Sequence, residues 1–193
     1  MNSSQPSASA NIRFATLAAR TILAHTLTYV LMGAIASHFF DYAAAYAQPC
    51  SGMRHYYSAW ILLGPLLQPI RGLVFASVFY LFRERLFSRP QGWLLLAWML
   101  IALGILSTFA PASGSIEGIL YTTTPIAAQL RGWLEIVPQA LLFAALLAYW
   151  VNHPEKKWLN WTLGILFTIV MSLFALGLLG TYVFGMGVYK ARG

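Results

Sequence analysis

Five long apolar stretches, at 22–40, 58–82, 93–110, 133–151 and 158–184, constrain this chain more than any other feature. Each is near or above the roughly 18–20 residues that carry a helix across hydrocarbon. Lipid offers nothing to a peptide N–H or C=O, so a spanning segment must close its own hydrogen bonds. These stretches lack the period-two alternation of a barrel strand and therefore close them as helices. Composition agrees, because 59% of the 193 residues are hydrophobic and 9% are charged, against roughly 45–50% and 25% in a soluble domain. The expected fold is all-α: a polytopic membrane helical bundle of five transmembrane helices forming one domain over 12–193. Residues 1–11, rich in Ser, Ala and Asn, have nothing to bury and are expected to form a disordered cytoplasmic tail.

Lys and Arg outnumber Asp and Glu by 12 to five, but they lie in short inter-helix loops and not on one face. Membrane orientation explains them, and nucleic acid is excluded as a partner. With alternate loops inside, Arg13, Arg20, Arg83, Arg85, Arg89, Lys156 and Lys157 are cytoplasmic, against Arg54, Arg131, Lys190 and Arg192 outside. The positive-inside rule then places the N-terminus in the cytoplasm and the C-terminus outward. Trp93, Trp133, Trp150 and Trp158 fall at span ends, where interfacial anchors belong. The first stretch is longer than the roughly 7–15-residue core of a secretory signal and is expected to remain as a span. An integral protein of a bacterial cytoplasmic (inner) membrane is the expected setting.

Pro65 and Pro69 in the second span and Pro138 in the fourth each remove a helical hydrogen bond, so kinks or local breaks are expected there. Thr124-Pro125 reads as an N-cap with proline at the first helical position of the fourth span. Pro precedes Arg-Gly by six residues at Pro65/Arg71 and again at Pro125/Arg131, which raises the idea of a duplicated two-helix unit. Small residues four apart, Gly33/Ser37, Gly104/Thr108 and Gly177/Thr181, permit close helix approach.

Arg71 is the most informative position. It lies near the middle of the second span, too deep to snorkel, and a lone central arginine costs at least about 2.5–3.5 kcal/mol on insertion scales. A partner or a wet cavity inside the bundle is required, and Glu135 in the fourth span is the natural candidate: counted from the cytoplasmic ends, the two differ in height by about 9 Å. Gln68 and Gln139 lie one turn from Arg71 and Glu135, and Arg131 shares a helix face with Glu135. The expected substrate-binding strip is therefore Gln68, Arg71, Arg131, Glu135 and Gln139. It would bind or transport a small solute, an ion or a lipid headgroup. The rival reading is a structural ion pair in an accessory or assembly subunit, whose lipid-facing surface meets partner membrane subunits.

At the outer surface His38, Asp41, Cys50 and His55 are metal-ligand types, but their spacing fits no zinc motif, so exposed loop residues are expected and no metal. His25 lacks a second histidine at similar depth, which argues against haem and for a packed, hydrogen-bonded side chain. Cys50-Ser51-Gly52 resembles the segment around the exosortase nucleophile over three residues; the arginine and histidine of that family find no counterpart here. Phosphate-loop, dinucleotide and serine-elbow signatures are missing. No cofactor is expected, an enzyme of the outer loop ranks third, and the lipid bilayer is the one certain partner.

Overall fold

The structure, a computed structural model, describes residues 12–46, 54 and 58–183. Its elements are α1 (Phe14–Phe39), α2 (Tyr42–Tyr46), α3 (Ala59–Leu81), α4 (Arg83–Phe87), α5 (Gly92–Ile101) continued by a π-helical turn (Ala102–Leu106), α6 (Ile116–Tyr121), α7 (Ile126–Asn152) and α8 (Lys157–Val183). Four of these helices, α1, α3, α7 and α8, are long and apolar enough to cross a membrane. The tail, Cys50, His55, Lys190 and Arg192 lie outside the described residues.

α1 is the hub, packing against α3, α7 and α8. Gln68 of α3 meets His25, while Gly72 and Gly64 meet Ile22 and Tyr29, so α3 runs antiparallel to α1. Along α7, Glu135, Phe143 and Trp150 meet Gly33, His25 and Arg20, and that pair is antiparallel too. α3 and α7 therefore descend together, and the chain between them must return from one end of the bundle to the other. α8 closes the group against α3, its Gly177 lying beside Leu62.

The apolar core sits at the end where α1 begins. Leu17, Ala24, Phe79, Leu86, Phe87, Leu96, Phe143 and Leu147 form one buried cluster drawn from α1, α3, α4, α5 and α7. The short α4 folds under the bundle because Leu86 and Phe87 are apolar on its inner side, while Arg83, Glu84 and Arg85 stay at the rim. In lipid such burial stabilises through close packing and dispersion contacts, because lipid tails are as apolar as these side chains.

The third apolar stretch does not run to 110 as a helix. α5 and its π turn end at Leu106, where the Thr108 hydroxyl donates to the Ala110 carbonyl at 2.7 Å and Pro111 follows. Both compete with continued helical bonding. Helix α7 starts one residue later than the Thr124-Pro125 signal suggests, with Pro125 itself in the extended N-cap position. The prolines do not break their helices: α3 is continuous through Pro65 and Pro69, and α7 through Pro138. Trp158 is exposed as an anchor should be, but Trp150 turns inward, 2% exposed, because its indole N–H donates to Asn160 Oδ1 at 2.8 Å.

Gly72 lets α3 approach the α1 backbone closely, and a Cβ there would lie 2.8 Å from the Ile22 Cα. By contrast Gly132, the other half of the repeated Arg-Gly pattern, has open space around it, so the two pairs do not occupy equivalent places. Of the small-residue pairs, Gly33 and Gly177 face neighbouring helices and Gly104 does not. Gly72→Ala is expected to destabilise the bundle by about 1–3 kcal/mol through overpacking against the α1 backbone. Gly132→Ala is expected to be neutral or to stabilise by up to about 1 kcal/mol through helix propensity. Thermal unfolding of both variants in detergent, followed by loss of the monodisperse peak, checks the contrast; equal behaviour would contradict this register.

Candidate functional site

α1 carries polar residues on the face it buries: Arg20, Thr21, His25, Thr26 and Thr28 are all at most 8% exposed. Thr28 satisfies itself, its hydroxyl donating to the Ala24 carbonyl at 2.8 Å. His25 is held across the helix interface. Its Nε2 lies 2.9 Å from Gln68 Oε1, while Gln68 Nε2 donates to the Gly64 carbonyl at 2.9 Å. That second bond orients the amide, so its oxygen faces the ring, and His25 must carry its proton on Nε2. Nδ1 is left as a bare acceptor. It is buried and has no hydrogen-bond partner among the described residues, and the hydroxyls of Thr21 and Thr26 are in the same state.

Phe75, at 4.9 Å and edge-on, and Phe143, at 5.2 Å, flank the imidazole. Phe79 stacks on Phe75 at 5.8 Å and completes an aromatic wall between α3 and α7. Tyr29, one turn above His25, sits beside Gly64 and within electrostatic reach of both Arg71 and Glu135. The sequence expectation of a packed, hydrogen-bonded His25 is met, and His25 touches both α3, through Gln68 and Phe75, and α7, through Phe143, a role sequence reasoning did not assign it.

Arg71 lies twelve residues into α3 and ten from its end, about 18 Å and 15 Å along the axis. Its guanidinium stands 5.7 Å from the Phe75 ring and near His25, and its side chain is exposed at the bundle wall. Glu135 instead accepts a hydrogen bond from the Tyr42 hydroxyl. Among the described residues no carboxylate comes within ion-pair distance of Arg71. The reason is register: Arg71 adjoins Gly72, level with Ile22, whereas Glu135 is level with Gly33. Eleven residues of α1 separate those levels, about 16 Å. Counting from the C-terminal ends of the two helices gives a smaller offset because α3 descends further than α7.

The five sequence-derived site residues thus occupy two levels. Gln68 and Arg71 belong to the middle of the bundle around His25. Glu135 and Arg131 face the α1–α2 corner, Arg131 standing 5.9 Å from the Phe40 ring. Gln139 is half-buried one turn below Glu135, between these levels. Asp41 has a local task, its Oδ1 accepting from the Ala44 N–H at 2.9 Å to cap α2, while His38 is exposed against Phe39. No group of three metal-ligating side chains occurs among the described residues.

Gln129 was not singled out by the sequence, yet it is 1% exposed and organises the end of the bundle where α7 begins. Its Oε1 accepts from the Gly114 N–H at 3.1 Å, and its Nε2 donates to the Thr124 carbonyl at 2.9 Å and reaches the Gly118 carbonyl at 3.3 Å. Trp133, one turn on, donates to the Gly114 carbonyl at 2.9 Å. Gly114 has φ +85°, and a Cβ there would meet the Trp133 indole, so glycine is required. The available signal was a glutamine in an apolar helix start that follows an irregular Gly-rich segment whose backbone needs partners.

Comparison with family models, characterised proteins and solved structures returns no match, so the functional reading rests on this geometry. Gln68→Leu is expected to leave His25 with both ring nitrogens unpaired and to lower stability by about 1–3 kcal/mol. His25→Phe is expected to strand the amide at similar cost, and the double variant to lose less than the two together. Denaturant unfolding of all four proteins in micelles checks the cycle; strict additivity would show that the bond contributes nothing.

Proposed function

We propose that this protein binds a small solute bearing a negative charge at the middle polar level of the bundle and carries it across the membrane, with Arg71, exposed at the bundle wall beside His25, as the central anchor. The observation that supports this is the state of the polar groups of α1 and α3: among the described residues the mid-helix guanidinium of Arg71 has no carboxylate, and His25 Nδ1 near it and the hydroxyls of Thr21 and Thr26 on the same helix as His25 have no hydrogen-bond partner. Each such atom costs about 1–3 kcal/mol if left dry, and intramembrane charge is retained where it serves a ligand or a path. A solute anion with its water supplies the countercharge for Arg71, donors for His25 Nδ1 and acceptors for the threonine hydroxyls. Gln68 holds the imidazole in the tautomer that accepts.

The polar residues of α1 extend the path. Arg20 and Gly33, beside which Glu135 lies, are thirteen residues apart, about 20 Å of a roughly 30 Å hydrocarbon core. Glu135 and Arg131, under the α1–α2 corner, form the outer mouth, with Gln139 between it and Arg71.

The topology in this reading has five crossings, the N-terminus in the cytoplasm and the C-terminus outward, in a bacterial inner membrane. α5 with its π turn provides the third crossing, since it alone can return the chain between the two descending helices α3 and α7. At fifteen residues it measures about 22 Å, short of the core. The irregular segment above it is tolerated because Gln129 and Trp133 satisfy its backbone, as buried loops in membranes require. Arg83, Arg85 and Arg89 set the orientation.

A second reading, an accessory subunit of a larger membrane complex, is favoured by α8, whose span is 11% buried and so offers nearly its whole length to lipid or to a partner. The two separate in proteoliposomes. With valinomycin present to carry potassium, osmotic swelling in potassium formate, acetate, lactate and phosphate is expected with at least one anion, to fall about tenfold or more in Arg71→Gln, and to persist in Arg89→Gln. Absence of swelling with every anion, together with co-purification of a membrane partner, would overturn transport in favour of the subunit.

A further inference from the structure

At the end of the bundle where α1 starts, a groove of about 440 Å³ opens between α1, α7 and α8, lined by Thr16, Ala19, Arg20, Leu23, Trp150 and Asn160. It is distinct from the Arg71 level. We infer that this groove is a binding site for the phosphate headgroup of an anionic phospholipid, with Arg20 as its principal ligand.

Arg20 is 8% exposed. Its Nη1 donates to the Trp150 carbonyl at 2.7 Å, and among the described residues that is its one hydrogen bond. The guanidinium has five N–H donors, so most of them are free for an anion. A carbonyl at the C-terminal end of α7 gives partial negative charge only, and among the described residues no carboxylate accompanies this buried cation, a state that favours a ligand with a full negative charge. Trp150 shapes the wall, its ring 5.5 Å from the guanidinium carbon and its N–H tied to Asn160 Oδ1, which turns the Asn160 amide NH₂ outward as a further donor. The Thr16 hydroxyl adds another.

A lipid source follows from position. Thr16 and Asn160 lie in the first turn of α1 and α8, and Trp150 in the last turn of α7, so the groove is at headgroup height, with Ala19 and Leu23 leading toward the acyl region. Arg13, Lys156 and Lys157 surround that end with positive charge, which concentrates anionic lipid there.

The test uses the full chain in detergent and native mass spectrometry with phosphatidylglycerol and phosphatidylcholine. Phosphatidylglycerol is expected to be retained about tenfold more than phosphatidylcholine, a difference set by the charge-assisted bonds of Arg20. Ala19→Trp, which fills the groove from an exposed position and leaves every polar contact in place, is expected to abolish that preference. Arg20→Gln should abolish it too; should that variant fail to fold, Ala19→Trp alone decides. Equal retention of the two lipids, or an undiminished preference in Ala19→Trp, would overturn the site, and displacement of phosphatidylglycerol by excess inorganic phosphate would overturn the lipid assignment. Retention against phosphate supports it. Neither outcome depends on whether Arg71 carries a solute.

Discussion

Inside hydrocarbon a polar group finds its partners within the protein or not at all, and most features of this molecule answer that constraint. Gln129 and Trp133 satisfy an irregular segment that could not otherwise rest against the bundle. Gln68 satisfies His25, and Tyr42 satisfies Glu135. The groups that remain are informative by contrast: Arg71, Arg20, His25 Nδ1 and the hydroxyls of Thr21 and Thr26 fall along α1 or against it. A helix that buries so many incompletely matched groups at its centre stabilises the fold less than an apolar one would, which is the usual mark of a functional element.

The division of labour between the two ends follows. Large apolar side chains from five helices lock the end where α1 begins, and α4 seals it. Toward the other end packing gives way to hydrogen bonds and aromatic contacts, with glycine admitting Tyr29 and Glu135 against their neighbours. The two ends thus differ in what holds them, apolar packing at one and hydrogen bonds and aromatic contacts at the other.

Much of this was legible in the residues. The second and fifth apolar stretches match α3 and α8 closely, whereas α1 and α7 begin eight and seven residues before their stretches, because a helix continues through polar residues that hydropathy leaves out. The third stretch failed because Thr108 and Pro111 end a helix that hydropathy alone would continue, a matter of backbone bonding and not of polarity. Arg71 announced an interior polar level through its cost in lipid, but its neighbours were not readable, because they depend on helix register. Gly72 against Ile22 fixes that register by steric approach, and it places Arg71 beside His25 and not beside Glu135. Equally, Trp150 looked like an interfacial anchor by position, and only the three-helix junction with Arg20 and Asn160 turned it inward.

Central to the account is a wet polar interior around His25, Tyr29 and Arg71, and thiol accessibility reports on it directly. In a Cys50→Ser background, Tyr29→Cys in the bundle interior and Val74→Cys, exposed on α3, can be compared in intact membranes with a charged methanethiosulfonate reagent. Thiolates form and react only where water reaches them. Modification of Tyr29→Cys at a rate well above that of Val74→Cys is the predicted result; an inert Tyr29→Cys alongside an equally inert Val74→Cys would mean a dry interior and contradict the account.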